Sequence, residues 1–317
     1  MTSSPFNLKS STSLYIKLIA FISLSVSFLA CNKTGVTLVP PVLAPAAPVT
    51  VTIIHTLPTI LKESSGLCYT DGNLWTFGDS GNPNAIFKID SASGAILQIV
   101  TVQNFPNTDW EDITADSLYI YIGDFGNNDG NRKDLKILRV EKSDLRSTAS
   151  QVSVDADAIN FSYTDQTNFD TNTNTNFDCE ALVSIDSNLY IFTKDGGDLQ
   201  TRSYKLSKTP GTYSVSVLDS FNISGKITSA AYNPLTKELA LGGYLNHKIF
   251  PFIWFFKNYP ANHFFKGAKL RQALNNNNTP WQTEGLDYIA PDRMLLSCES
   301  TAGVPATLYK IQLHLDY

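Results

Sequence analysis

Residue types that usually announce chemistry are scarce in this 317-residue chain. It has four histidines, four cysteines and two methionines, and His55, His247, His263 and His314 form no metal-spaced pair. There is no Gly-x-Ser-x-Gly elbow and no glycine-rich phosphate cradle, so serine-hydrolase and nucleotide-dependent mechanisms lose their footing. Charge is also low: 17% of residues are charged, 24 basic against 29 acidic, for a net charge of −5. A protein that grips phosphate backbones needs a basic face, so a nucleic-acid partner is excluded. Cys68, Cys179 and Cys298 are odd in number and match no zinc or redox spacing, which makes them buried small hydrophobes. What is plentiful is Thr, Ser, Asn and Tyr on a 43% hydrophobic background, a mixture suited to strands and turns around a sizeable core.

The first thirty residues carry Lys9 and Lys17 and no acid. Without those two lysines the rest of the chain has 22 bases against 29 acids, net −7. The apolar run Leu18–Ala30 would rise only about 20 Å as a helix, short of the roughly 30 Å hydrocarbon core. A basic segment followed by a short apolar run is a secretory signal over residues 1–30 rather than a spanning anchor. It ends in Phe28-Leu29-Ala30-Cys31, which resembles the bacterial lipobox, whose cysteine becomes the acylated first residue of the mature chain. Residues 31–48 are then a Pro/Ala/Val-rich tether, and 49–317 a single domain. The localisation expected is the bacterial cell envelope, extracytoplasmic, periplasmic or outer-membrane associated, with the membrane reached through Cys31.

Internal repetition sets the architecture. An acid-led segment, a turn and an apolar strand ending in Gly, Asp or Glu recur. The copies are Glu63–Tyr69 with Leu74–Asp79, Trp110–Ile113 with Leu118–Asp124, Cys179–Leu182 with Leu189–Asp195, and Glu284–Tyr288 with Met294–Glu299. A degenerate copy, Thr228–Tyr232 with Leu239–Tyr244, lacks the acid. Each is followed by a third strand, and fourth strands are expected at Gln98–Val102, Ala158–Tyr163, Tyr213–Asp219 and Lys269–Ala273. Successive copies lie 48, 69, 48 and 56 residues apart, the length of four-stranded propeller blades. The last copy lacks a fourth strand, and Val49–Leu57 alternates suitably to supply it and close the ring. The expectation is an all-β, five-bladed β-propeller; six blades require a further one hidden in residues 141–178.

Equivalent positions in such repeats converge on one axis. Glu63, Glu111, Glu180 and Glu284 would form a carboxylate ring, with Asp79, Asp124, Asp195 and Glu299 near the ends of the second strands. Crowded carboxylates repel one another, so they bind a cation, accept hydrogen bonds or take up protons. Two readings of the ring stand: a Ca²⁺ site, because Ca²⁺ tolerates irregular oxygen ligation, or a scaffold in which the acids accept backbone N–H groups from neighbouring blades. The Asn/Asp-rich loop Asp170–Asp178 lacks the EF-hand glycine and glutamate and reads as a flexible surface loop. The aromatic stretch Ile249–Phe265 reads as core, or as a partner patch where exposed.

The segments Ser64–Leu67 with Gly78–Gly81, Asp109–Ile113 with Gly123-Asp124, Glu180–Leu182 and Gln282–Leu286 resemble the SdiA-regulated and esterase-like-phytase propellers. More distantly they are similar to NHL-type and gluconolactonase-like propellers. Some relatives bind Ca²⁺ in or near the channel, which the resemblance implies for Glu63, Glu111, Glu180 and Glu284; it transfers no catalytic residue. The function expected is an extracytoplasmic module that binds a small molecule or an envelope protein, with Ca²⁺ at the channel. The alternative is a Ca²⁺-dependent hydrolase of phosphoesters or lactones that uses channel carboxylates on a metal-activated water. Metabolic labelling with a fatty acid should mark the wild-type chain and not Cys31→Ala; equal labelling of the two would contradict the lipid anchor.

Overall fold

The computed structural model describes residues 49–245, 249–274 and 281–314; the signal segment, Cys31 and the tether lie outside them. The described chain is almost entirely β, in five antiparallel units. Blade I comprises Ser64–Thr70, Asn73–Gly78, Ala85–Ile89 and Ile96–Val102; blade II comprises Trp110–Ala115, Tyr119–Asp124, Lys136–Glu141 and Asp157–Tyr163. Blade III comprises Cys179–Ile185, Asn188–Thr193, Thr201–Ser207 and Val217–Phe221; blade IV comprises Lys226–Asn233, Glu238–Leu245, Ile249–Lys257 and Ala268–Ala273. Blade V comprises Thr283–Ala290, Arg293–Cys298 and Thr307–Gln312, and its outer strand is Thr50–Thr56 from the start of the domain. Pairing Thr50 with Gln312 and Thr56 with Thr307 closes the ring and covers an open edge. The fold is a five-bladed β-propeller.

Two strands depart from the repeat. Gln151–Val154 lies parallel on the outer strand of blade I, and Gly211–Val215 lies parallel on that of blade II. Residues 141–178 therefore hold an edge strand for the preceding blade and the fourth strand of their own, and no sixth blade. The expected single strand Tyr213–Asp219 is divided: Gly211–Val215 crosses back to blade II, and Val217–Phe221 stays in blade III. Alternation alone could not separate them, because both halves read as strand and only the break at Ser216 divides them. Each added strand gives an exposed edge a partner for its N–H and C=O groups.

The cores lie between blades. Five apolar clusters each join neighbouring blades, including the last with the first. Trp110, fully buried, meets the Phe77 ring edge-on with centroids 5.7 Å apart across blades I and II. Most of the aromatic residues of Ile249–Phe265 are core, with Phe252, Phe256, Phe264 and Phe265 filling the space between blades III and IV, while Phe250 is exposed. Burial of each such ring contributes roughly 1.5–3 kcal/mol.

The first strand of every blade carries a β-bulge at the same place. Pairing skips from Trp110↔Asp124 to Asp112↔Gly123, from Cys179↔Thr193 to Ala181↔Phe192, from Ile227↔Gly243 to Ser229↔Gly242, and from Thr283↔Cys298 to Gly285↔Ser297. In blade I the skip lies between Ser64 and Leu67. A bulge sets two successive residues against one partner and re-aims their side chains. The second bulge residue of blade II is Asp112; its counterparts are Gly66, Ala181, Ser229 and Gly285, all small. Asp112 is fully buried, and its carboxylate accepts N–H groups from Ile113 at 2.8 Å, Leu182 at 2.7 Å and Ala230 at 3.4 Å. One side chain thus ties blades II, III and IV together, in space that larger neighbours would fill. Farther along, Asp287 accepts the N–H of Tyr69 at 2.6 Å and so ties blade V to blade I. The scaffold role foreseen for the glutamates falls to these two aspartates. Removing the acceptor strands buried N–H groups, each costing about 1–3 kcal/mol. Asp112→Ala should therefore lower the urea-unfolding free energy by about 3 kcal/mol or more; a loss below about 1 kcal/mol would contradict this role.

Candidate functional site

The bulge registers align the five repeats and define the acidic mouth. The first bulge residues are Ser65, Glu111, Glu180, Thr228 and Glu284. Glu63 stands two positions earlier and corresponds to Asp109, Asp178, Lys226 and Gln282. The residues that follow the bulge-facing ends of the second strands are Asp79, Phe125, Lys194 and Glu299, and Tyr244, still within its longer strand, is their counterpart in blade IV. Four of these backbones make the same contact: Asp79, Phe125, Lys194 and Glu299 donate N–H to the carbonyls of Glu63, Asp109, Asp178 and Gln282.

Three of the four expected ring glutamates share one level. Glu111, Glu180 and Glu284 are each at least nine-tenths buried. Glu63 does not belong to that level: its side chain is 41% exposed, accepts Asn82 Nδ2 at 2.8 Å and meets Lys62 at 3.5 Å. Its place is taken by Ser65, whose hydroxyl donates to the Glu111 carbonyl at 2.6 Å. Asp79 and Glu299 occupy the outer level, as expected. Asp124 and Asp195 do not reach the mouth. Asp124 lies one position too early and is held by Arg132 at 2.9 Å and Lys136 at 3.3 Å. Asp195 lies one position too late and pairs with Arg202; burial pushes its carboxyl up to about 7. A strand reverses its facing every residue, so counting from the last acid rather than from the pairing misplaces both.

Residues not foreseen complete the mouth. Asp109 and Asp178 were visible in the paired Asp-Trp-Glu and Asp-Cys-Glu triplets. Lys194 lay between the expected strand and Asp195. Its ammonium contacts Glu180 and reaches Asp178 at 3.2 Å, so blade III supplies the countercharge for its own two acids. The Asn/Thr loop that precedes blade III is a surface loop over residues 170–174, as expected, but it is anchored at its end and flanks. Asn127 N–H donates to Asp178 at 2.6 Å, Gly196 N–H to the Thr175 carbonyl at 2.7 Å, and Gln166 to the Gly130 carbonyl at 2.8 Å.

Blades I and II have no such lysine. Carboxylate oxygens of Asp79, Asp109 and Glu111 all lie within 4.8 Å of one another. Asp79 accepts the N–H of Ser80, whereas Asp109 and Glu111 accept no side-chain hydrogen bond among the described residues. Burial is the largest cause pushing all three carboxyls up, followed by their mutual repulsion for Asp109 and by Glu180 for Glu111; Asp109 reaches about 6. Ca²⁺ takes oxygen ligands at 2.3–2.6 Å, so ligand atoms around one ion are separated by up to about 5 Å. The trio fits that envelope and leaves coordination positions over for water or a ligand. Gly126 borders the trio, where any β-carbon would collide with Glu111 and Asp109.

No protein-family model matches the sequence, and no curated protein does. Among solved structures, the PQQ-bound aldose sugar dehydrogenase of Streptomyces coelicolor is similar over 85% of this chain and 99% of its own, with 12% identity and a TM-score of 0.51. The α-L-arabinofuranosidase of Fusarium graminearum in complex with an iminosugar inhibitor is similar over 84% of this chain and 98% of its own, with 9% identity and a TM-score of 0.45. These likenesses concern the fold.

The trio has a pH signature. A carboxyl whose folded pKa is raised binds protons more tightly in the native state, so its contribution to stability is present below pH 3.8 and lost as pH rises through about 6. In chelator, the melting temperature of wild type should fall between pH 4 and 6.5 by more than that of Asp109→Asn; parallel curves would contradict the coupling.

Proposed function

We propose that the protein is a lipid-anchored, extracytoplasmic binding module whose acidic mouth takes up Ca²⁺ through Asp79, Asp109 and Glu111 and offers it to a small molecule or envelope partner. The observation that carries this reading is Glu111, 5% exposed, beside two further carboxylates and without a donor among the described residues. Uncompensated buried charge is costly, and a bound cation offsets that cost. The nearby cations are already engaged, Lys194 by Asp178 and Glu180 and Arg132 by Asp124 and Asp134. A hard ion held by carboxylates supplies a positive centre for oxygen-bearing ligands.

The chain's own residues shape what approaches. Blade IV carries no acid at these positions, bringing Lys226, Thr228 and Tyr244 instead, and blade III offsets its two acids with Lys194. The mouth is therefore lopsided, with its negative side on blades V, I and II. Asp109 and Glu111 come from one strand and Asp79 from the next blade, so ligation would also pin blades I and II together. The likeness to SdiA-regulated and esterase-like-phytase propellers supports a channel-mouth ion, with the trio in place of the four-glutamate ring. Within the domain, Thr50 pairs with Gln312, which pairs with Arg293 at the hairpin end of blade V, while the acids lie at the other end.

The second reading is a Ca²⁺-dependent hydrolase of phosphoesters or lactones. It is favoured by the Lys194–Glu180 pair next to the trio, which could hold or move a proton beside the ion. Turnover of p-nitrophenyl phosphate or a γ-lactone that requires Ca²⁺ and is lost in Glu111→Gln would establish it; bound Ca²⁺ without turnover leaves the binding module.

A ligand bound only to the native state stabilises by mass action, about 2.7 kcal/mol at a hundredfold excess over Kd. Chelator should therefore lower the melting temperature, and added Ca²⁺ should restore it. Glu111→Gln should remove the difference between the two conditions. Melting curves indifferent to chelator and Ca²⁺ would overturn the reading.

A further inference from the structure

The two ends of the axis differ in chemistry. Past Asp112 the first strands open at the hairpin end onto a cavity of about 750 Å³ that all five blades line, the size of a small-molecule site. Asp287 lies at its floor, but both carboxylate oxygens are committed, to Tyr69 N–H at 2.6 Å and Tyr288 N–H at 2.8 Å. The other charged groups of the lining are Asp186 and Lys237, both on exposed hairpin turns. Among the described residues no carboxylate cluster is found here. An anion meets one solvated lysine; a metal ion meets Asp287, already in use, and Asp186 on an exposed turn. Neither is matched.

What the cavity does present is neutral. Ser184, Tyr69 and Asn258 line it, and their side-chain hydroxyl and amide groups make no hydrogen bond among the described residues. Tyr69, Tyr232 and Tyr259, each partly exposed, also line it. Asn258 is carried by a loop of unusual backbone: Asn258, Ala261 and Asn262 all have positive φ, at 55°, 47° and 62°. Such a conformation in alanine costs energy and persists where the surroundings over-determine it. They do so here, through Asn262 donating to the Tyr190 hydroxyl at 2.8 Å and Tyr259 packing edge-on to Phe264 at 4.9 Å.

We propose that this hairpin-end mouth is a second, independent site that binds a neutral saccharide of one or two pyranose rings. Sugar hydroxyls both donate and accept, as hydroxyl and amide groups do, and the C–H face of a pyranose lies against a tyrosine ring. The charged groups of the lining are either engaged, as Asp287 is, or on exposed turns, so none is set to hold an acidic or amino sugar. The site is separated from the acidic mouth by the buried Asp112 level, so occupancy of one does not need the other.

Saturation-transfer NMR on the full chain, with cellobiose, maltose, lactose and N,N′-diacetylchitobiose as probes, tests the proposal. Transfer to the ring protons of at least one disaccharide is expected. It should fall about tenfold in Tyr232→Ala and several-fold in Tyr69→Phe, which removes one hydroxyl and keeps the ring that packs. Glu111→Gln should leave it unchanged. Silence from all four probes overturns the proposal, as does equal transfer in Tyr69→Phe and Tyr232→Ala. Loss of transfer in Glu111→Gln would place the sugar at the acidic mouth and equally overturn it, as would stronger binding of glucuronate or glucosamine at the same residues.

Discussion

The carboxylate of Asp112 stands where the five first strands converge, and the rest of the molecule is arranged around it. It gathers N–H groups from blades II, III and IV, and it fits because the matching positions are Gly66, Ala181, Ser229 and Gly285. The bulge that places it there also turns the preceding residue toward the axis. Glu111 is therefore a consequence of the same backbone irregularity. A regular strand would send one of these two side chains to the opposite face. The device repeats in all five blades, so the axis receives acids from several directions, and their mutual repulsion has to be met by something.

It is met in two ways. Asp112 and Asp287 are answered by backbone N–H groups, and Asp178 and Glu180 by Lys194. These acids hold structure. Among the described residues, Asp79, Asp109 and Glu111 have between them only the Ser80 N–H. A scaffold gains nothing from acids left in that condition, because an unpaired buried charge destabilises it. The division between answered and unanswered carboxylates is what separates scaffold from site, and it falls between blades that carry nearly the same sequence motif.

Much of this was legible in the chain. Acid-led repeats at blade-like spacing, together with an unpartnered strand at Val49–Leu57, were enough for five blades and a ring closed at the N-terminal strand, because strand alternation and turn residues are local properties. The acids at Glu111, Glu180 and Glu284 followed from the repeats. Glu63 did not, since the bulge that makes Ser65 the true counterpart is set by pairing between strands. Asp124 and Asp195 carried the right charge on the wrong side of a strand end, for the same reason. Lys194 was passed over beside Asp195, although a lysine there offsets one of the two acids that blade III brings to the mouth. The edge strands Gln151–Val154 and Gly211–Val215 join the blade before their own, a tertiary choice that no local pattern records.

The central claim is that Asp79, Asp109 and Glu111 hold a hard cation. Terbium replaces Ca²⁺ in oxygen sites and emits when a nearby tryptophan is excited, and Trp110 lies in the chain between two of the three ligands. Excitation of the protein in the presence of Tb³⁺ should give sensitised green emission that saturates at one ion per chain, is displaced by Ca²⁺ and is absent in Glu111→Gln. Emission that is absent in wild type, or unchanged in Glu111→Gln, would contradict the account.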